Sequence, residues 1–320
     1  MARMNRREFV AGLTALSAWP LAPAQNPVIP IIDAHIHLFD PNRPQGAPYT
    51  GPKTAGPPVA AFPDRYRRLA GPLGAVGAIK VEASPWIEDN LWVLEVAERD
   101  SIIVGVIGNL EPEKPEFPEY LDRYRKNRLF RGIRCGNLWG RDITAQVAQP
   151  AFISGLKRIA DADLVMDSAN PRLSLLQAIV RATDQVPTLR VVLDHLPALP
   201  APETAADRTA LDTALRELGA RPQIYVKLSA IIHDVKGTIS TDLASYRDWL
   251  DRLMEVFGED RVIFGSDWPN SDGVASVDKV FAIAKTYFSS KPRAVAEKYF
   301  WRNSIAAYKW IRRDPSQPQL

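Results

Sequence analysis

Ile31-Ile32-Asp33-Ala34-His35-Ile36-His37 decides how the rest of the chain is read. Two β-branched residues followed by strict alternation predict a buried strand. Side chains two apart on a strand share a face, which would point Asp33, His35 and His37 the same way. Taken alone, such a histidine pair is either an ordinary core feature or one wall of a site that chelates an ion or grips a substrate. The distinction depends on what stands at the ends of the other strands.

Outward from this stretch, short runs rich in β-branched residues recur at 75–82, 102–108, 132–134, 164–167, 190–194, 224–229 and 262–266. With the first run they make eight. Helical spacing of apolar residues predicts helices at 89–97, 118–127, 143–160, 174–185, 205–218, 242–257 and 277–288, with 292–301 and 305–311 closing the chain. Strands alternating with helices argue for an α/β fold, and eight such units for a (β/α)8 TIM-type barrel, here a single domain over residues 25–320. An open doubly wound sheet is the alternative, but no Gly-x-Gly-x-x-Gly follows a strand. Residues 41–63, dense in proline and glycine, read as a lid or binding loop.

The composition, 46% hydrophobic and 24% charged, is that of a globular protein. The formal charge of +3 falls to 37 basic against 36 acidic residues once Arg3, Arg6, Arg7 and Glu8 are set aside with the leader. No basic cluster is interleaved with aromatics, so no nucleic-acid partner is expected. A single cysteine, Cys135, excludes an intramolecular disulfide and any multi-cysteine metal site, and reads as a buried core thiol. The only histidines are His35, His37, His195 and His233.

Residues 1–24 read as a cleavable export signal: Arg6-Arg7-Glu8-Phe9 in a charged start, an apolar run, then Ala22-Pro23-Ala24. The paired arginines match a twin-arginine signal, which makes that export machinery a partner and places the mature protein in the periplasm or outside the cell. The run is too short, and too interrupted by Pro20 and Pro23, for a stable membrane span.

In a TIM-type barrel reactive groups stand where strands end. The first strand ends in His35 and His37, the second in Glu82, the fourth in Arg134, the fifth in Asp167, the sixth in Asp194-His195 and the seventh in Lys227. The eighth ends in Gly265-Ser266-Asp267-Trp268. Polar groups collected at one end of hydrophobic runs make a site.

Ile31–His37 together with Val192-Leu193-Asp194-His195-Leu196-Pro197, Tyr225-Val226-Lys227-Leu228-Ser229 and Ile263-Phe264-Gly265-Ser266-Asp267-Trp268-Pro269 resemble the amidohydrolase superfamily. The resemblance is to its branch of sugar-lactone and 2-pyrone-4,6-dicarboxylate lactonases and covers residues 31–308. It implies a carboxylic ester hydrolase that opens a lactone of a sugar acid or of an aromatic ring-cleavage product. It also implies His35 and His37 as the first-strand pair, His195 as the sixth-strand histidine, and Asp267 as proton shuttle and ligand. Metal-rich members carry a lysine or glutamate after strand four and a histidine after strand five, where this chain has Arg134 and Asp167. That departure argues against two metals. It leaves one divalent ion, zinc first, on His35, His37, His195 and Asp267, or a metal-independent reaction.

Either version makes Asp267 the base that activates water, with the histidines or the ion polarising the carbonyl. Glu82, Arg134, Lys227, His233 and Trp86 are candidate contacts of the small-molecule substrate, Arg134 and Lys227 as clamps for its carboxylate or hydroxyls. Trp139 could wall the pocket. A metal-dependent decarboxylase of the same superfamily, and a non-catalytic periplasmic binding barrel, are the alternatives.

Overall fold

The structure, a computed structural model, describes residues 28–52 and 57–320. The export signal read at residues 1–24 lies outside the described residues. Among these, no helix is long and apolar enough to cross a membrane.

The strands are β1 (Ile31–Ile36), β2 (Ala75–Lys80), β3 (Ile103–Gly108), β4 (Phe130–Gly136), β5 (Val165–Ala169), β6 (Arg190–Leu193), β7 (Ile224–Lys227), the hairpin pair β8 (Asp234–Val235) and β9 (Thr238–Ile239), and β10 (Val262–Ile263). Eight of them, without the hairpin, form one sheet in the order β1 to β7 and then β10, each pair parallel. The sheet returns on itself beyond the short β10. Ala34 N–H donates to Phe264 O (3.0 Å), Asp267 N–H to His35 O (2.8 Å) and His37 N–H to Trp268 O (2.8 Å). The result is a nearly closed TIM-type barrel. Closure runs through the strand that bears His35 and His37 and the turn that bears Asp267.

Inside the barrel, Ile32, Ala34, Ile79, Val81, Val104, Val165, Val192 and Ile263 make one buried cluster, with Trp301, Tyr308 and Trp310 of the C-terminal segment packed against it. Outside, helices cover the strands with apolar stripes. Helix Leu173–Gln185 buries Leu175, Leu176, Ala178, Ile179 and Ala182, the i, i+1, i+3, i+4, i+7 pattern of one helical face. Full burial of each leucine or isoleucine contributes roughly 1.5–3 kcal/mol.

Three local features differ from the sequence reading. The helix expected over 143–160 is two helices, Ile143–Gln146 and Pro150–Asp161, because Gln149 takes the extended backbone that a following proline favours. Helix Pro63–Ala70 follows the 41–63 loop where no helix was expected, with proline at its first turn. Most important, β1 is bulged: Asp33 stands opposite Ala78 and Ile36 opposite Lys80, three steps against two. One extra residue reverses the facing of the side chains beyond it. Asp33 therefore does not share a face with His35 and His37. It points outward to Tyr66 of helix Pro63–Ala70, whose OH donates to Asp33 Oδ2 at 2.8 Å.

Candidate active site

Asp267 Oδ1 is the centre of the site, 3.1 Å from His37 Nε2, 3.5 Å from His35 Nε2 and 3.7 Å from His195 Nε2. The bulge in β1 supplies the histidine pair, the turn after β6 supplies His195, and the turn after β10 supplies Asp267. Asp33 Oδ1 holds two of these turns together, accepting the backbone N–H of His35 (3.1 Å) and of Ser266 (2.8 Å). Gly265 is required beside them, since a Cβ there would lie 2.9 Å from His35 Cβ.

The backbone at this mouth is strained. His195 and Asp267 have φ of 54° and 61°, and Trp139, Asn170 and Ala230, on the same rim, share the left-handed region. Each such non-glycine residue costs about 1–2 kcal/mol and persists only where its surroundings impose it.

Proton positions follow from the partners. His37 Nδ1 faces Val81 O at 3.0 Å, and a carbonyl only accepts, so the ring hydrogen is on Nδ1 and the Nε2 lone pair faces Asp267. Burial holds His35 and His195 below the ordinary imidazole range, so both rings are neutral at pH 7. Burial alone would push the Asp267 carboxyl up, but the imidazoles around it, His195 foremost, hold it well below the usual carboxylate range. Two electron-rich atoms, His37 Nε2 and Asp267 Oδ1, thus meet at 3.1 Å. Such a contact calls for a cation between them, a proton or a metal ion.

Below the histidines lies a buried ionic layer. Lys227 Nζ is 2.6 Å from Asp167 Oδ2, 2.9 Å from Asp194 Oδ1 and 3.2 Å from His35 Nδ1. An ammonium only donates, so His35 Nδ1 accepts from it and the ring hydrogen sits on Nε2. Arg134 Nε lies 3.1 Å from Asp194 Oδ2, and Tyr308 OH donates to Asp167 Oδ1 at 3.0 Å. Burial pushes the Asp167 carboxyl up, whereas Lys227, His35 and Arg134 hold Asp194 well below its usual range despite its burial.

Above the histidines opens a cavity of about 410 Å³, lined by His37, His195 and Asp267 with Tyr49, Glu82, Arg134, Trp139, Arg172 and Asn270 among others. Tyr49 comes from the 41–63 loop, so that loop does contribute to the site. Within the floor, one ligand atom from each of His35, His195 and Asp267 lies within 4.8 Å of the others, spacing that one ion can span.

The profile of the amidohydrolase family matches residues 32–310. The chain belongs to that family. Among curated relatives, the L-fucono-1,5-lactonase of Burkholderia multivorans is 29% identical over 286 residues, covering 86% of this chain and 94% of that protein. The L-fucono-1,5-lactonase of Burkholderia ambifaria is 30% identical over 245 residues, covering 75% of this chain and 80% of that protein. Among solved structures, an amidohydrolase from Burkholderia multivorans with bound zinc superposes with a TM-score of 0.77 at 25% identity, covering 88% of this chain and all of that one. The chain is a hydrolase of the lactonase branch of the amidohydrolases.

His35, His37, His195 and Asp267 come together at the cavity floor, with Glu82 and Arg134 in the cavity wall. Three candidate substrate contacts lie elsewhere. Lys227 is fully buried beneath His35 as the partner of two aspartates, so it cannot reach a ligand. His233 is held by its own turn, Nδ1 lying 2.9 Å from Ile231 O, and its ring packs on Tyr246. Trp86 is 38% exposed beyond a turn in which its N–H donates to Ser84 Oγ, away from the cavity lining. Arg141 was missed. It lies in the 137–142 loop and donates Nη2–H to Glu82 Oε1 at 2.9 Å, and only an unpaired basic residue close after a strand hinted at it.

Proposed function

We propose that this amidohydrolase opens a lactone of a sugar acid by adding water to the ester carbonyl. The observation that carries the reading is the carboxylate of Asp267 ringed by three imidazoles at the floor of a 410 Å³ cavity. The lactonase relatives support the substrate class, and favour lactone opening over the decarboxylation known elsewhere in the superfamily.

Asp267, already ionised, removes a proton from a water held above it, and the water oxygen bonds to the carbonyl carbon. The developing oxyanion is met by imidazole N–H at the cavity floor, where His195 lines the wall. The buried His35, whose Nδ1 accepts from Lys227, turns its Nε2–H towards His37 Nε2 at 3.3 Å and holds that ring in place. When the tetrahedral centre collapses, the ring C–O bond breaks. Asp267 then returns its proton to the ring oxygen, leaving a hydroxy acid and a regenerated carboxylate. Both proton transfers use one group, which suits a site with a single ionised carboxylate at its floor.

The donor set also fits one divalent ion. His35, His195 and Asp267, whose ligand atoms lie within 4.8 Å of one another, would hold it, with His37 Nε2 at 3.1 Å from Asp267 Oδ1 beside them. The His35 ligand atom would be Nε2, its hydrogen given up while Nδ1 keeps the bond from Lys227. Such an ion, zinc by the chemistry of nitrogen and oxygen ligands, would polarise the carbonyl and acidify bound water.

Acid release measured by pH-stat on a panel of aldonolactones, with the metal content of the same preparation determined alongside, tests the reading. Stoichiometric acid formation from at least one sugar lactone supports it. Carbon dioxide from an aromatic carboxylic acid, with no lactone opened, points to decarboxylation, and no turnover at all to a binding barrel. We further propose that residues 1–24 direct the folded enzyme through the twin-arginine route to the periplasm. Replacing Arg6 and Arg7 by lysine should then retain the unprocessed protein in the cytoplasm.

A further inference from the structure

Glu82 stands where β2 enters the cavity wall and is only 1% exposed. Its two oxygens are treated differently. Oε1 accepts Trp139 Nε1–H at 2.7 Å and Arg141 Nη2–H at 2.9 Å. Oε2 is buried and has no partner among the described residues. Arg141 cannot swing to cover it, because Nη1 donates to Asn109 Oδ1 (3.0 Å) and Nε to Leu138 O (3.1 Å). The carboxylate is thus clamped on one edge and left with a buried, unpartnered acceptor on the other. Buried polar atoms are almost always satisfied, and the exceptions concentrate where a ligand completes them.

Arg134 lines the same cavity. Its Nε pairs with Asp194 at 3.1 Å, and its terminal nitrogens bond no protein atom among the described residues. The wall therefore offers an acceptor at Glu82 and donors at Arg134. A hydroxyl, which both donates and accepts, satisfies the two together. A carboxylate only accepts, so beside Glu82 Oε2 it would set two acceptors against each other and leave both unmet, whatever Arg134 and Arg172 offer elsewhere in the wall.

We propose that Glu82 Oε2 is the specificity element of this site, accepting a hydrogen bond from a ring hydroxyl and so selecting polyhydroxylated neutral lactones over carboxylated ones. This rests on the lactone-hydrolase reading and deepens it. The Trp139 and Arg141 side chains act as positioning residues that hold the carboxylate in place.

The test compares the wild-type enzyme on a neutral aldonolactone, on the same lactone made deoxy at each ring position in turn, and on 2-pyrone-4,6-dicarboxylate. One deoxy position should lower kcat/KM at least about 10- to 100-fold, the loss expected when a single hydrogen bond to a charged acceptor is left unmade. The dicarboxylate should be turned over least. In Glu82→Gln, whose amide presents a donor instead of an acceptor, the ratio of hydroxylated to deoxy kcat/KM should fall towards one. The proposal is overturned if wild type opens lactones but treats every deoxy analogue and the dicarboxylate like the parent, or if Glu82→Gln keeps the wild-type ratio. If wild type opens no lactone, the hydrolase reading fails instead. Calorimetric binding of a polyhydroxylated sugar lactam then still decides the role of Glu82: tenfold weakening in Glu82→Gln supports it, and unchanged affinity overturns it.

Discussion

Asp33 Oδ1 accepts the backbone N–H of Ser266 at 2.8 Å and so ties the first barrel strand to the turn after the last, 233 residues away. The same oxygen accepts the N–H of His35, so one outward-facing carboxylate sets the distance between the histidine pair and Asp267. Burial raises the Asp33 carboxyl to about 6. A carboxyl raised on folding binds its proton more tightly in the native state. The stabilisation it gives is complete below about 3.8, the unfolded value, and is lost as pH rises through about 6. Asp33→Asn keeps an acceptor for both N–H groups but cannot titrate. Between pH 4 and 7, wild type should lose about 2 kcal/mol of unfolding free energy relative to Asp33→Asn in urea titrations. A difference that does not change with pH would show that Asp33 does not titrate as described.

Lys227 separates a stabilising role from a substrate-binding one. Its ammonium is enclosed by Asp167 and Asp194 with no exposure. Lys227→Met leaves a buried acidic pair short of its partner and should cost about 3–5 kcal/mol, seen as a large drop in Tm. Adding Asp167→Asn should recover part of that loss, because the two residues share one interaction. A Lys227→Met variant with wild-type Tm and a raised KM would instead return Lys227 to the role of substrate clamp.

Cys135 is 3% exposed and burial pushes its thiol up to about 12. The thiolate is the reacting form, so the native protein at pH 8 should resist iodoacetamide for hours and be alkylated promptly in guanidinium. Mass spectrometry of the intact protein reads both states. Rapid native labelling would contradict the packing around β4.

The barrel was legible because its strands are nearly continuous β-branched runs and its helices carry clear apolar stripes, signals that survive in a single sequence. His195 and Asp267 were legible as polar residues ending such runs. The β1 bulge was not: Ile31–His37 alternates regularly, and the extra residue is imposed by pairing with β2 and by the bonds Asp33 makes to a segment more than two hundred residues away. Lys227 looked like a barrel-mouth cation for the same reason. Strand periodicity gives the face of a residue but not its depth, and depth separates a cavity contact such as Arg134 from a buried ion-pair member such as Lys227. Helix 143–160 split at Pro150, a break that proline announces but that the apolar spacing across it concealed. The Glu82–Arg141–Trp139 clamp joins two loops whose path no local pattern encodes.

In the proposed lactone opening, Asp267 moves the proton. The most direct measurement is kcat for a sugar lactone in wild type and in Asp267→Asn, at matched metal content and with folding verified by Tm. An asparagine at this position cannot take up or return a proton, and loss of a positioned general base costs roughly 10²–10⁴-fold. In Asp267→Asn, kcat should fall by that factor. A variant that retains kcat within about tenfold of wild type would contradict it.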